Sequence, residues 1–139
     1  MSKDELIKGL NEDLAAELGT IIRYNYQASK CFGPHGARLR EMFEDEIKDE
    51  TGHARFLSDV IADLGGEPTT TPKPFEKPQA VKEMLELDVR MEEQDVANYM
   101  MHAALAEKLE LVELKLKLEE IAADEAGHAR MLQRLLKGM

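Results

Sequence analysis

Cysteine is nearly missing from this chain of 139 residues, where Cys31 stands alone. A single cysteine excludes an intramolecular disulfide framework and any zinc site built on thiolates. Positive charge is also scarce: 18 lysines and arginines face 28 acidic residues, for a net charge of −10 and an isoelectric point near 4.9. That balance offers no electrostatic attraction to nucleic acid or to an anionic membrane surface, and it draws cations. No apolar run approaches the roughly 20 residues that cross a bilayer. The opening Met1-Ser2-Lys3-Asp4-Glu5 has no apolar stretch of the secretory type, so a cytoplasmic location is expected. The length suits a single domain, 1–139, with a sizeable hydrophobic core.

Proline is confined to two places, Pro34 and the cluster Pro68, Pro72, Pro74 and Pro78. What lies between reads as long amphipathic helices and an all-α fold. A first helix opens at Ser2, with Glu5 completing a Ser-x-x-Glu capping box, and runs to about Cys31. Its apolar stripe takes in Leu6, Leu10, Leu14, Ile21 and Ala28. Gly33-Pro34-His35-Gly36 predicts a turn, followed by a second helix over 37–64 that stops at Gly65-Gly66. Glu67 to Lys77 is a proline- and threonine-rich linker, able to reach about 35 Å when extended. That is most of the roughly 42 Å length of a 28-residue helix, so a crossover is expected rather than a hairpin. A third helix is expected from Pro78, and a fourth ends at Lys137-Gly138. Their boundary, which no glycine or proline marks, is placed at 108–112.

The chain repeats itself. Asp49-Glu50-Thr51-Gly52-His53-Ala54-Arg55 returns 75 residues later as Asp124-Glu125-Ala126-Gly127-His128-Ala129-Arg130. The same offset carries Glu17 to Glu92, Tyr24 to Tyr99, Asp13 to Asp88 and Leu10 to Leu85. Two helix pairs, about 3–64 and 78–137, thus each supply one lone glutamate and one Glu-x-x-His, and each glutamate falls near the middle of its own helix. Residues i and i+3 on a helix point toward neighbouring positions, so a Glu-x-x-His aims a carboxylate and an imidazole at nearby points. Glu17, Glu50, His53, Glu92, Glu125 and His128 form the ligand set of a dinuclear carboxylate metal site in a four-helix bundle. Two divalent ions would balance the four carboxylates; without them, burial of four mutually repelling charges is costly. Carboxylate and imidazole without thiolate suit iron or manganese, with zinc as a tight-binding substitute. Asp49 and Asp124 are placed to accept the free N–H of a ligand histidine.

Other residues carry weaker expectations. Tyr24 and Tyr99, two turns beyond Glu17 and Glu92, are candidates for a hydrogen bond to a ligand carboxylate or for buried core. Asp13 and Asp88 are read as supporting the ligands or as solvated or capping groups. Gly52 and Gly127 suggest close packing or room beside the metals. Met42, Met84, Met91, Met100, Met101 and Met131 are read mostly as core filler. His35 and His102 have no carboxylate at ligand spacing and are expected to be structural or exposed.

These residues resemble the ferritin-like superfamily, in particular its bacterioferritin and rubrerythrin branches, over nearly the whole chain. The resemblance implies an antiparallel four-helix bundle with a long crossover between helices two and three. It implies two iron ions on the six residues above, with Glu50 and Glu125 bridging and Tyr24 beside the pair. Bacterioferritin's haem-ligating methionine directly follows the helix-two glutamate, and Thr51 occupies that position, so no haem is expected. The short fifth helix that helps build the hollow shell of bacterioferritins has no counterpart here, which leaves an iron-storing shell open, and the four-cysteine domain of full-length rubrerythrins has none either. Rubrerythrins offer a further carboxylate three residues after the lone glutamate; here it is Asp95, which leaves a ligand switch open. The implied activity is ferroxidase-type oxidation of Fe(II) by O2 or H2O2. The alternatives are a peroxide reductase fed by an external electron donor and a non-catalytic metal-binding bundle. Apolar residues on several faces of 111–118 favour a homodimer or larger assembly.

Overall fold

A computed structural model describes residues 2–139 as four helices: α1 (Lys3–Ala28), α2 (Gly33–Asp63), α3 (Val81–Lys108) and α4 (Val112–Lys137). Ser2 caps α1, its hydroxyl accepting the Glu5 amide at 3.2 Å. The α-helix stops at Ala28 rather than Cys31, because i→i+3 bonds from Lys30 to Gln27 and from Cys31 to Ala28 tighten the last turn. The second helix begins four residues earlier than expected. Gly33 takes a left-handed φ of 74° and redirects the chain, and Pro34 then sits in the first turn, where its missing N–H costs nothing. The segment 33–36 is thus the start of α2 and not a turn.

At the far end of α2 the amide of Gly66 bonds to the carbonyl of Ile61 and that of Gly65 to Ala62, with Gly65 left-handed at 89°. This is the Schellman arrangement that glycine favours. The α3–α4 corner, at Leu109–Leu111, uses the same pair of bonds, Leu111 to Ala106 and Glu110 to Glu107, but the left-handed residue is Glu110 at 61°.

The linker is a crossover, as expected. Asn11 near the start of α1 holds Glu67 and Thr69 through its side chain, the Lys73 amide bonds to the Ala15 carbonyl, and Phe75 packs on Tyr26 near the end of α1. The strap therefore ascends α1 for most of its length, so that α2 and α3 run parallel and α1–α2 and α3–α4 antiparallel. Because the Gln79 amide is bound to Lys77 and to the Tyr26 hydroxyl, 75–79 belong to this strap. Helix three consequently starts at Val81, and Pro78 precedes it.

Two apolar clusters fill the bundle. Leu6, Leu10, Leu14, Leu57, Ile61, Ala103, Ala106, Leu114 and Leu118 plug one end. Tyr24, Leu39, Phe43, Leu85 and Leu132 plug the other. Every helix crosses from one cluster to the other, and the polar residues of its middle turns lie between them. Met84 is buried, but Met100, Met101 and Met131 are exposed and do not fill the core. Cys31 is a small buried residue whose thiol donates to the Gln27 carbonyl. No helix is long and apolar enough to cross a membrane among the described residues.

Candidate metal centre

Glu17, Glu50, Glu92 and Glu125 converge between the two apolar plugs, each no more than 1 % exposed, with His53 and His128 beside them. Their oxygen and nitrogen atoms form two groups within 4.8 Å: Glu17, Glu50, His53 and Glu125 in one, Glu50, Glu92, Glu125 and His128 in the other. Glu50 and Glu125 belong to both. His53 turns Nδ1 inward, 3.4 Å from Glu50 and 3.6 Å from both Glu17 and Glu125. His128 does the same, 3.3 Å from Glu125, 3.5 Å from Glu50 and 3.8 Å from Glu92. The outward Nε2 atoms meet the two aspartates in a crossed pattern, His53 with Asp124 at 3.0 Å and His128 with Asp49 at 3.1 Å.

The tyrosines are crossed in the same way. Tyr24 of α1 donates to Glu92 Oε1 of α3 at 2.5 Å, and Tyr99 of α3 donates to Glu17 Oε1 of α1 at 2.6 Å. Each therefore serves the glutamate of the other helix pair and not the one on its own helix.

The fit to metal rests on what is left over. Eight buried atoms of the six residues have no hydrogen-bond partner: Glu17 Oε2, both oxygens of Glu50 and of Glu125, Glu92 Oε2, and Nδ1 of each histidine. Buried polar atoms are normally paired, so a cluster of acceptors facing one another is unfavourable unless cations or protons lie among them. In the metal-free protein, protons take that place. Burial, then repulsion from Glu17, Glu125 and Glu92, holds Glu50 well above the usual carboxylate range. Burial likewise pushes Glu125 up to about 8. Burial pulls the histidines down, but the facing carboxylates outweigh it: His53 is held up at about 9 and His128 at about 12. Burial raises both tyrosines well above their ordinary value, and neighbouring carboxylates add to it.

A second layer surrounds the centre. Asp88 accepts from Arg23 and Gln27, both at 2.9 Å, and Asp13 meets His102 Nδ1 at 2.6 Å. Both aspartates are buried and neither is solvated or capping. Burial raises each to about 6, against the attraction of its partner. His102, with no carboxylate at ligand spacing in the sequence, finds Asp13 across the α1–α3 interface; it occupies the position equivalent to Gln27 in the other half. His35 is exposed. Asp95 is buried, and burial followed by repulsion from Glu92, Glu125 and Glu17 pushes it up to about 9. A Cβ on Gly52 or Gly127 would meet nothing within 4 Å, so close packing is not the reason for these glycines.

Glu46 is the functional candidate that motif reading passed over. Only 3 % exposed and with both oxygens unpartnered, it lies one turn before Glu50. Burial pushes it up to about 8, with repulsion from Glu92, Asp88 and Glu125 opposing attraction to His128. The signal available in the sequence was an acidic residue four positions before a ligand, on the same helix face.

Residues 7–139 match the model of the ferritin-like domain family. A bacterioferritin of Brucella melitensis is 32 % identical over 135 residues, covering 95 % of this chain and 83 % of that protein. Among solved structures, a ferritin-like, diiron-carboxylate protein of Bacillus anthracis str. Ames superposes with a TM-score of 0.95 at 43 % identity, covering 98 % of this chain and 99 % of that one. The Desulfovibrio desulfuricans bacterioferritin, described with a diiron site, gives 0.84 at 25 % identity, covering 97 % and 80 %.

Proposed function

The chain belongs to the ferritin-like family, and on that premise we propose that it is a diiron-carboxylate oxidoreductase of the ferroxidase type, oxidising Fe(II) with O2 or H2O2. The carrying observation is the set of eight unpartnered, inward-facing donor atoms on Glu17, Glu50, His53, Glu92, Glu125 and His128. Hard carboxylates with one imidazole per half suit iron, with manganese or zinc able to substitute. Glu17 and His53 would hold one ion, Glu92 and His128 the other, and Glu50 and Glu125 both. Bound iron supplies the electrons, one from each Fe(II), and the oxidant accepts the pair together with two protons.

The chain's own residues prepare that exchange. Tyr24 and Tyr99 each engage one oxygen of Glu92 and Glu17, leaving the other oxygen turned to the centre. Asp124 and Asp49 face Nε2 and would accept from its N–H, so that loss of the Nδ1 proton on metal binding leaves that lone pair turned to the centre. Because Glu50 and Glu125 hold protons in the metal-free protein, cation binding releases them. The apolar plugs above and below limit water and hold the carboxylates in place.

One observation favours a second reading. Asp95, buried three residues after Glu92 and repelled by it, is the candidate for an alternative ligand, which would support a peroxide reductase with an external electron donor. A second copy of this chain is the proposed cover for Val112 and Leu116, exposed beside the buried Leu114 and Leu118.

Replacing Glu92 with Ala separates an enzyme from a metal-stabilised bundle. The expected result is retained helical structure with Fe(II) oxidation slowed by more than the roughly 10–100-fold that loss of an outer-layer partner costs. Oxidation at the wild-type rate would contradict the proposal.

A further inference from the structure

The two halves of the bundle hold their supporting aspartates differently. A shift of 75 residues carries Asp13 onto Asp88, but it carries Arg23 onto Asn98, Gln27 onto His102 and Gly9 onto Met84. Asp88 is held by Arg23 and Gln27, a fixed charge and a neutral amide. Asp13 is held by an imidazole, Oδ2 to His102 Nδ1 at 2.6 Å. Packing does not demand that ring, since glutamine fills the matching position in the other half. Gly9 makes room for it: a Cβ there would meet His102 Nε2 at 2.5 Å and Cδ2 at 2.7 Å. Glycine inside a helix is otherwise unfavourable.

The imidazole joins a wet side to a dry one. A cavity of about 490 Å³ opens between α1 and α3, with Gly9 and His102 in its wall and Glu5, Lys8, Glu12 and Lys108 around it. Nε2 has no hydrogen-bond partner among the described residues, while Nδ1 faces inward to the buried Asp13. Asp13 stands one turn before Glu17 on α1, close enough for the two to repel. Tyr99 of α3 donates to that same Glu17 at 2.6 Å. Cavity, imidazole, carboxylate and ligand thus follow one another from the surface to one half of the centre. Histidine is suited to such a place, because near neutral pH it can take a proton on one nitrogen and give one from the other.

We propose that His102 and Asp13 form a proton relay between the α1–α3 cavity and the Glu17 half of the centre. Inward, Nε2 takes a proton from cavity water as Nδ1 gives one to Asp13, which passes it toward Glu17 to supply reduction of the oxidant. Outward, the exchange runs backwards and carries off protons displaced when cations bind. Each direction leaves the ring in the tautomer from which the other starts. The matching side has Arg23 and Gln27 in place of the imidazole, and neither exchanges protons near neutral pH. This rests on the reading of the central six residues as a dinuclear site.

Zn(II) tests the relay without redox chemistry. Mixed with Zn(II) in weakly buffered solution, the wild-type protein should bind two ions and release protons, followed by a pH-indicator dye in stopped flow. His102→Gln, which copies the other half, should bind two ions and release as many protons. Its release should be about a hundredfold slower, the lower end of what a positioned proton-transfer group contributes. Asp13→Asn should be slowed to the same degree, and the double variant no further, because both changes break one route. Release at the wild-type rate in both single variants, multiplied effects in the double variant, or loss of Zn(II) binding in either single variant would overturn the relay alone. No Zn(II) bound by the wild-type protein would overturn the dinuclear reading and this one with it.

Discussion

His53 on α2 and Asp124 on α4 are joined across the bundle, Nε2 to Oδ2 at 3.0 Å, although they stand 71 positions apart in the chain. Asp124 directly precedes Glu125, yet it orients the histidine of the opposite helix pair. His128 and Asp49 repeat the relation in reverse. The two Glu-x-x-His motifs are therefore interlocked, each half aiming the imidazole of the other.

Asp124→Ala should lower metal affinity by roughly 10–100-fold, because an imidazole without its acceptor loses both orientation and basicity. Thermal stability of the metal-free protein should change little, since the Asp124 side chain is about half exposed. Competition titration with a chromophoric chelator measures the first quantity and thermal melting the second. Unchanged affinity would show that the crossed contact does not tune the centre.

Stability of the metal-free protein should fall as pH rises. Glu125 and Glu46 sit near 8 and Asp95 near 9 in the fold, all above their unfolded values, so between about 4 and 9 the folded state binds more protons than the unfolded chain. His53 and His128, raised to about 9 and about 12, act in the same direction, their contribution complete below about 6.5 and lost through the folded values. Metal binding runs the other way, since ligands must lose protons to coordinate. The melting-temperature gap between metal-loaded and metal-stripped protein should widen from acid to mildly alkaline buffer, and a constant gap would contradict this.

Glu110 occupies the left-handed position that closes the α3–α4 corner, where a Cβ costs roughly 1–2 kcal/mol. Glu110→Gly should raise stability by a few tenths to about 1 kcal/mol, the relief of strain exceeding the added freedom of the unfolded chain. Denaturant melts check it. A loss of stability would mean that the Glu110 side chain contributes more than its backbone strain removes.

Much of the centre was legible because its information is periodic. The doubled motif and the matched glutamates place six side chains at one height from spacing alone, and the structure brings those six together. What escaped is pairing between distant turns. Nothing local announces that His102 will meet Asp13, that Tyr24 will serve Glu92 and not Glu17, or that Asp124 will serve His53. Glu46 was missed for the opposite reason: it has no partner in the repeat, and attention to symmetry passes over what breaks it. The helix ends that moved did so through tertiary contacts. Pro34 reads as a breaker until Gly33 turns the chain ahead of it, and Pro78 reads as a helix start until Gln79 is tied to Tyr26. The α3–α4 corner was placed by length alone, because Glu110 takes a position where glycine would have been the signal.

The central claim is a dinuclear, redox-active iron site, and an anaerobic Fe(II) titration of metal-stripped protein followed by oxygen addition tests it most directly. The account predicts two tightly bound Fe(II) per chain, both converted to Fe(III) when O2 or H2O2 is admitted. Tight binding of none or one, or two ions that remain Fe(II) in the presence of both oxidants, would contradict it.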